Sequence, residues 1–160
     1  MRIKNLKGKI VVGILLLFVG VCAFFGERLK LYDTIWWWDV MLHIVSGVAF
    51  SMLGFMIAAK LSKHSISPLL AALFAFTFAV TVGVGWEIYE FVMDSFRGTN
   101  MQRWMFMPIP ESAEWLSETM ALRGSGLIDT MKDLIAGTAS ALVTAVIGYF
   151  CLKRKEKKSR

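Results

Sequence analysis

The chain lacks most of the residue patterns that announce an enzyme. It has no HExxH, no CxxC, no phosphate-binding glycine loop and no Ser/His/Asp arrangement, so the familiar zinc-peptidase, redox, nucleotide-hydrolase and triad chemistries have no footing. Its two cysteines, Cys22 and Cys151, fall near opposite membrane faces in the topology argued below, and an intrachain disulfide is not expected. Charge is scarce inside the apolar runs. With 160 residues there is room for one small bundle and for no second domain.

Apolar residues are plentiful. They make up 56% of the chain and gather in runs of about 20 residues, the length of a membrane span rather than of a core helix. The runs cover about 10–25, 36–59, 66–92 and 127–152. The expected fold is all-α: a polytopic membrane protein built as one antiparallel bundle of about four transmembrane helices, residues 1–160 forming a single membrane domain. A long loop, about 95–126, and a basic tail, 153–160, complete it. Arg2, Lys4, Lys7 and Lys9 precede the first run, as in a secretory signal. Val21-Cys22-Ala23-Phe24-Phe25 lacks a small-x-small cleavage pattern, which favours an uncleaved anchor.

The N-terminal arm, the Lys60/Lys63 loop and the tail are basic, while the other two loops mix signs. By the positive-inside rule both termini are cytoplasmic and the 95–126 loop is extracytoplasmic. Trp36-Trp37-Trp38 suits an aromatic belt at the outer interface. The net charge of +6 sits in membrane-flanking segments, so the partner it implies is lipid and not nucleic acid.

The ionisable residues of the spans fall at one depth. Asp39 and His43 open the second span, Glu87, Glu90 and Asp94 close the third, and Asp129 and Asp133 open the fourth. Antiparallel packing brings those three ends together. Spacings of three and four residues put each set on one helix face. His43, Glu87 and Asp133 lie about one turn deeper than Asp39 and Asp129, at a rise of about 1.5 Å per residue. Blander roles exist: Asp39 and Asp129 can cap helix N-termini, Glu90 and Asp94 can be solvated, and the deeper trio can form a hydrogen-bonded polar plug. Lys132 is either an ion-pair partner or a snorkelling side chain.

Three carboxylate faces turned inward with one imidazole need compensating charge. A divalent cation supplies it, and bundles with inward Glu and His are a known way to hold metals. The expected ligand set is Asp39, His43, Glu87, Glu90, Asp129 and Asp133. Its oxygen-rich character favours Mg²⁺, Mn²⁺ or Ca²⁺ over Zn²⁺ or Fe²⁺. Gly47, Gly54, Gly83, Gly85, Gly137 and Ser140 permit close helix contacts that would draw these faces together. In the loop, Pro110-Glu111-Ser112-Ala113-Glu114-Trp115-Leu116, followed by Thr119 and Leu122, reads as the start of a short interfacial helix. Arg97, Arg103 and Arg123 could then face an anionic head group.

Trp38-Asp39-Val40-Met41-Leu42-His43 with Gly47, Glu87-Ile88-Tyr89-Glu90, and Gly126-Leu127-Ile128-Asp129-Thr130-Met131-Lys132-Asp133-Leu134 with Gly137 resemble the YjdF-like bacterial inner-membrane proteins, and more distantly the VanZ-like proteins. The resemblance runs over residues 36 to 141 and implies that the six acidic and imidazole positions are shared polar positions. It supplies no mechanism. The chain departs from longer relatives in having about four spans and a Met- and Trp-containing loop at 100–107.

The function expected is a metal-dependent membrane enzyme acting outward on a lipid or lipid-linked substrate, with Glu87 and Asp133 as candidate catalytic carboxylates and Arg97 or Arg103 on the head group. The alternatives are a cation- or proton-binding transport protein, for which a homodimer would double the site, and a membrane scaffold with a structural polar plug.

Overall fold

The computed structural model describes residues 6–62, 66–103 and 118–159. Among the described residues the elements are all helices: α1 (Leu6–Arg28), a single turn α2 (Leu31–Thr34), α3 (Trp38–Leu61), α4 (Pro68–Arg97) and α5 (Glu118–Ser159). Four of them, all but α2, carry stretches long and apolar enough to cross a membrane. The chain is a polytopic all-α membrane protein.

The helices overrun their apolar stretches. The 30 residues of α4 and the 42 of α5 correspond to about 45 and 63 Å of helix, against a hydrocarbon core of about 30 Å. Lipid sets the apolar length, whereas backbone hydrogen bonding continues into the polar layers. The stretch expected as a loop is therefore helical at both ends, 95–97 belonging to α4 and 118–126 to α5. The interfacial helix expected from Pro110 begins outside the described residues, as does His64, and Thr119 and Leu122 belong to α5.

Local chemistry fixes the ends of α4. The Ser67 hydroxyl accepts the Leu70 N–H at 3.2 Å and Pro68 takes the first helical position. At the far end Gly98 adopts a φ of 64° and donates its N–H to the Asp94 carbonyl at 3.2 Å.

Contacts give the helix directions. Positions 47, 51 and 55 of α3 meet 137–140, 141 and 148 of α5 in the same order, so those two helices run parallel. Gly54 meets Ala75 and His43 meets Glu87, so α4 runs antiparallel to α3. The end of α1, at Gly26, meets the start of α3, at Trp38. In consequence the starts of α3 and α5 and the end of α4 share one end of the bundle. α3 is the hub: it packs on α4, α5 and α1, while α4 and α5 also pack on each other.

Apart from Leu42 and Val12, the buried apolar side chains among the described residues are alanines. Ala49, Ala58, Ala71, Ala75, Ala79, Ala141 and Ala145 are buried, whereas Leu69, Phe91, Ile135, Val143 and Ile147 point outward. With lipid as the solvent, large apolar groups gain nothing by burial and close backbone approach gains dispersion contacts. A Cβ at Gly54 would lie 2.7 Å from the Ala75 Cα, and one at Gly47 would strike the Gly137 carbonyl and the Ser140 hydroxyl. Nothing lies within 4 Å of a Cβ at Gly83, so that glycine serves no packing role against the described residues.

These contacts make a paired prediction. Gly47→Val forces α3 and α5 apart and costs about 1–3 kcal/mol, visible as a lower melting temperature in detergent. Gly83→Ala leaves the melting temperature within a degree or two, on the order of zero change in stability. Equal melting of the two variants would contradict the packing described.

Candidate functional site

The α3/α4/α5 geometry gathers the acidic residues without further assumption. The first turns of α3, the last turns of α4 and the turns of α5 that carry Asp129 and Asp133 converge, and each contributes side chains spaced three or four apart; because α5 already begins at Glu118, Asp129 does not open its helix and is no N-cap. Glu87, Glu90, Asp129 and Asp133 are all less than a tenth exposed, Asp133 least at 2%. Asp39 and His43 have side chains 15% and 11% exposed.

At the centre lies the His43 ring. Its Nε2 stands 3.8 Å from Asp39 Oδ1 and 3.6 Å from Glu87 Oε1. Both separations exceed the range of an N–H···O hydrogen bond. Ligand atoms of Asp39, His43 and Asp133 lie within 4.8 Å of one another. Donors on one ion at about 2.1 Å stand about 3.0 to 3.4 Å apart when adjacent and about 4.2 Å apart when opposite. The spacing is thus too wide for direct bonding and close to that of groups sharing a cation. Glu87 Oε1 and Asp133 Oδ1 are buried without a hydrogen-bond partner among the described residues.

The remaining acids have other engagements. Glu90 Oε1 accepts the Trp86 indole N–H at 2.7 Å, one helical turn away. Asp129 is buried one turn before Asp133 on the same helix. Asp94, expected among the inward acids, instead folds the chain that follows it. Its Oδ1 accepts from the Thr99 hydroxyl at 2.6 Å and the Met101 N–H at 2.7 Å, and its Oδ2 accepts the Gln102 N–H at 2.9 Å. Past the C-terminus of α4 the Met101 and Gln102 amides have no helical carbonyl to bond, and a carboxylate in the last turn reaches them more readily than it reaches the bundle axis.

That clamp places two side chains over the mouth of the site. The Gln102 amide donates to the Thr130 hydroxyl at 2.8 Å, tying the loop to α5. Arg103, with a φ of 53°, sends its guanidinium to Asp33 Oδ1 at 3.0 Å and toward Asp39 Oδ2 at 3.4 Å, and lays it over the Tyr32 ring at 4.4 Å. Burial raises the Tyr32 phenol above its ordinary pKa; the nearby Asp39 carboxylate adds to the rise and Arg103 opposes it.

Asp39 therefore has two faces, Oδ1 toward His43 and Oδ2 toward Arg103. Arg97 is exposed at the end of α4 and Lys132 is exposed on α5, neither brought into this cluster; the side chain of Arg123 lies outside the described residues. The sequence reading missed Tyr32, Asp33, Gln102 and Thr130. Trp86 four residues before Glu90 was a usable signal, whereas Gln102 to Thr130 spans the loop and left none.

The Asp94 clamp is testable by hydrogen exchange. Hydrogen bonds to a charged group contribute about 1.5–3 kcal/mol, so Asp94→Ala speeds exchange of the Met101 and Gln102 amides by roughly tenfold or more. Unchanged protection would mean that these amides are held by something else.

The chain matches the family described as "Predicted membrane protein (DUF2238)" over residues 3–154. It is also similar to an uncharacterized protein of Thermotoga maritima, 35% identical over 124 residues that make up 78% of this chain and 54% of that protein. The chain thus spans about half the length of the curated relative it matches. No solved structure matches. The family match bears on membrane character, and neither likeness carries the YjdF-like or the VanZ-like name.

Proposed function

The chain belongs to this family of predicted membrane proteins, and on that footing we propose that the acidic end of its bundle is a divalent-cation site of a metal-dependent enzyme that hydrolyses a phosphoester or similar bond in a lipid or lipid-linked substrate. The observation that carries the reading is the His43 Nε2 facing carboxylate oxygens at 3.6 and 3.8 Å, with an unpartnered Asp133 oxygen buried in the same group.

Asp39, His43 and Asp133 hold the ion, with Glu87 beside them and Glu90 and Asp129 contributing negative field from the surrounding turns. One imidazole among oxygens suits Mn²⁺ or Mg²⁺ best, with Ca²⁺ the next choice and Zn²⁺ or Fe²⁺ behind. Such an ion would stabilise charge developing on a phosphoryl oxygen and make a neighbouring water acidic.

Glu87 would take the proton of an attacking water, since its carboxylate stands beside the His43 ring and neither oxygen has a hydrogen-bond partner meeting bond geometry among the described residues. Arg103 at the mouth meets the anionic head group, a role for which Arg97, outside the cluster, is not placed. The site opens to the extracytoplasmic face of a bacterial inner membrane, both termini lying in the cytoplasm, as the basic loops of the other end direct.

A conduit reading has less support. Toward the basic end, the buried polar side chain among the described residues is Ser51, whose hydroxyl is spent on the Ala141 carbonyl at 3.3 Å.

Elemental mass spectrometry of the detergent-purified protein, after resupply of divalent ions, tests the proposal. Wild type carries close to one equivalent of metal. His43→Ala and Asp133→Asn lose affinity by at least about tenfold, while Glu90→Gln, whose partner is Trp86, keeps its metal. Absence of metal from wild type, or equal metal in all four folded proteins, would sink the cation site and favour proton binding or a structural plug.

A further inference from the structure

The opposite end of the bundle carries a second electrostatic feature, independent of the acidic site. α5 does not stop where its apolar stretch ends. It continues as helix through Ser159, and that extension presents Lys153, Arg154, Lys155, Lys157 and Lys158, all exposed, with Glu156 between them.

At 3.6 residues per turn these cations spread over about 200° of the helix circumference, and Glu156 falls in the remaining arc. From Lys153 to Lys158 they climb about 7.5 Å, the depth of one headgroup layer, which is about 5–7 Å. Lys153 is held at the base of this ladder, its ammonium donating to the Tyr149 hydroxyl at 3.0 Å and lying 5.3 Å from the ring centroid. Tyrosine there suits the boundary between hydrocarbon and headgroups.

The neighbouring helix ends add charge of the same sign. Lys7 and Lys9 at the start of α1 and Lys60 at the end of α3 are exposed at this end. Among the described residues the acid found here is Glu156.

We infer that the C-terminal turns of α5 bind anionic phospholipid headgroups, gathering such lipids around the basic end of the bundle. Charge complementarity points to an anion-rich partner. The six residues from Lys153 to Lys158 include no apolar one, which suits contact with lipid headgroups and not a protein interface, whose centre is depleted in lysine.

The test uses the full-length protein reconstituted in phosphatidylcholine vesicles, with spin-labelled phosphatidylglycerol or phosphatidylcholine reporting which lipid occupies the protein's immediate shell. Wild type prefers phosphatidylglycerol. Replacing Lys153, Arg154, Lys155, Lys157 and Lys158 by Gln lowers that preference by at least about tenfold at low salt, and helix propensity is nearly unchanged by these exchanges.

Changing only the four lysines to Arg keeps the preference. Salt near 1 M, where screening acts within about 3 Å, removes most of it. An unchanged preference in the five-Gln variant would overturn the inference. So would unchanged lipid selectivity accompanied by loss of a co-purifying acidic protein, which would assign the helix to a protein partner.

Discussion

Carboxylates enclosed by apolar helices need a positive charge or donors beside them, and at the acidic end of this bundle no donor among the described residues hydrogen-bonds Glu87 or the Asp133 Oδ1. Glu90 has the Trp86 indole and Asp94 has three donors of the following loop. Asp39 shares Arg103 with Asp33. Glu87 and Asp133, the deepest pair, are left facing His43 and each other's field, and one imidazole cannot neutralise both. The proposed cation site follows from this deficit and from the spacing of the groups around Nε2.

The packing of the bundle serves the same end. Small residues let α3 approach α4 and α5 closely along their length, with Gly54 against Ala75 and Gly47 against Gly137 and Ser140. A bundle spaced by large side chains would hold His43, Glu87 and Asp133 too far apart to act on one ligand. Large apolar residues are turned to lipid, where they cost nothing, and the interior is left to backbone contact and to the polar end. The overrun of α4 matters in the same way: its last turns lift Asp94 beyond the apolar stretch, where the carboxylate can fold the 98–103 segment and deliver Arg103 to the mouth.

The spans, their antiparallel order and the convergence of three polar helix ends were legible in the sequence, because apolar run length and three- or four-residue spacing are properties of single helices. Which acids would share a ligand was not legible. Asp94 has the same spacing from Glu90 that Asp133 has from Asp129, yet it lies in the last helical turn beside free main-chain donors and turns to them. Glu90 is drawn off by an indole on its own helix. The turn α2, with Tyr32 and Asp33, and the reach of Gln102 to Thr130 depend on tertiary placement. No periodicity encodes them.

The account rests most directly on the His43 imidazole being a ligand of a bound divalent ion. Pulsed electron paramagnetic resonance of the Mn²⁺-loaded protein reads this without reference to any substrate. The prediction is a single ¹⁴N coupling to manganese in wild type that disappears in a folded His43→Ala protein. Manganese that binds with no nitrogen coupling, or whose coupling survives the substitution, would contradict it.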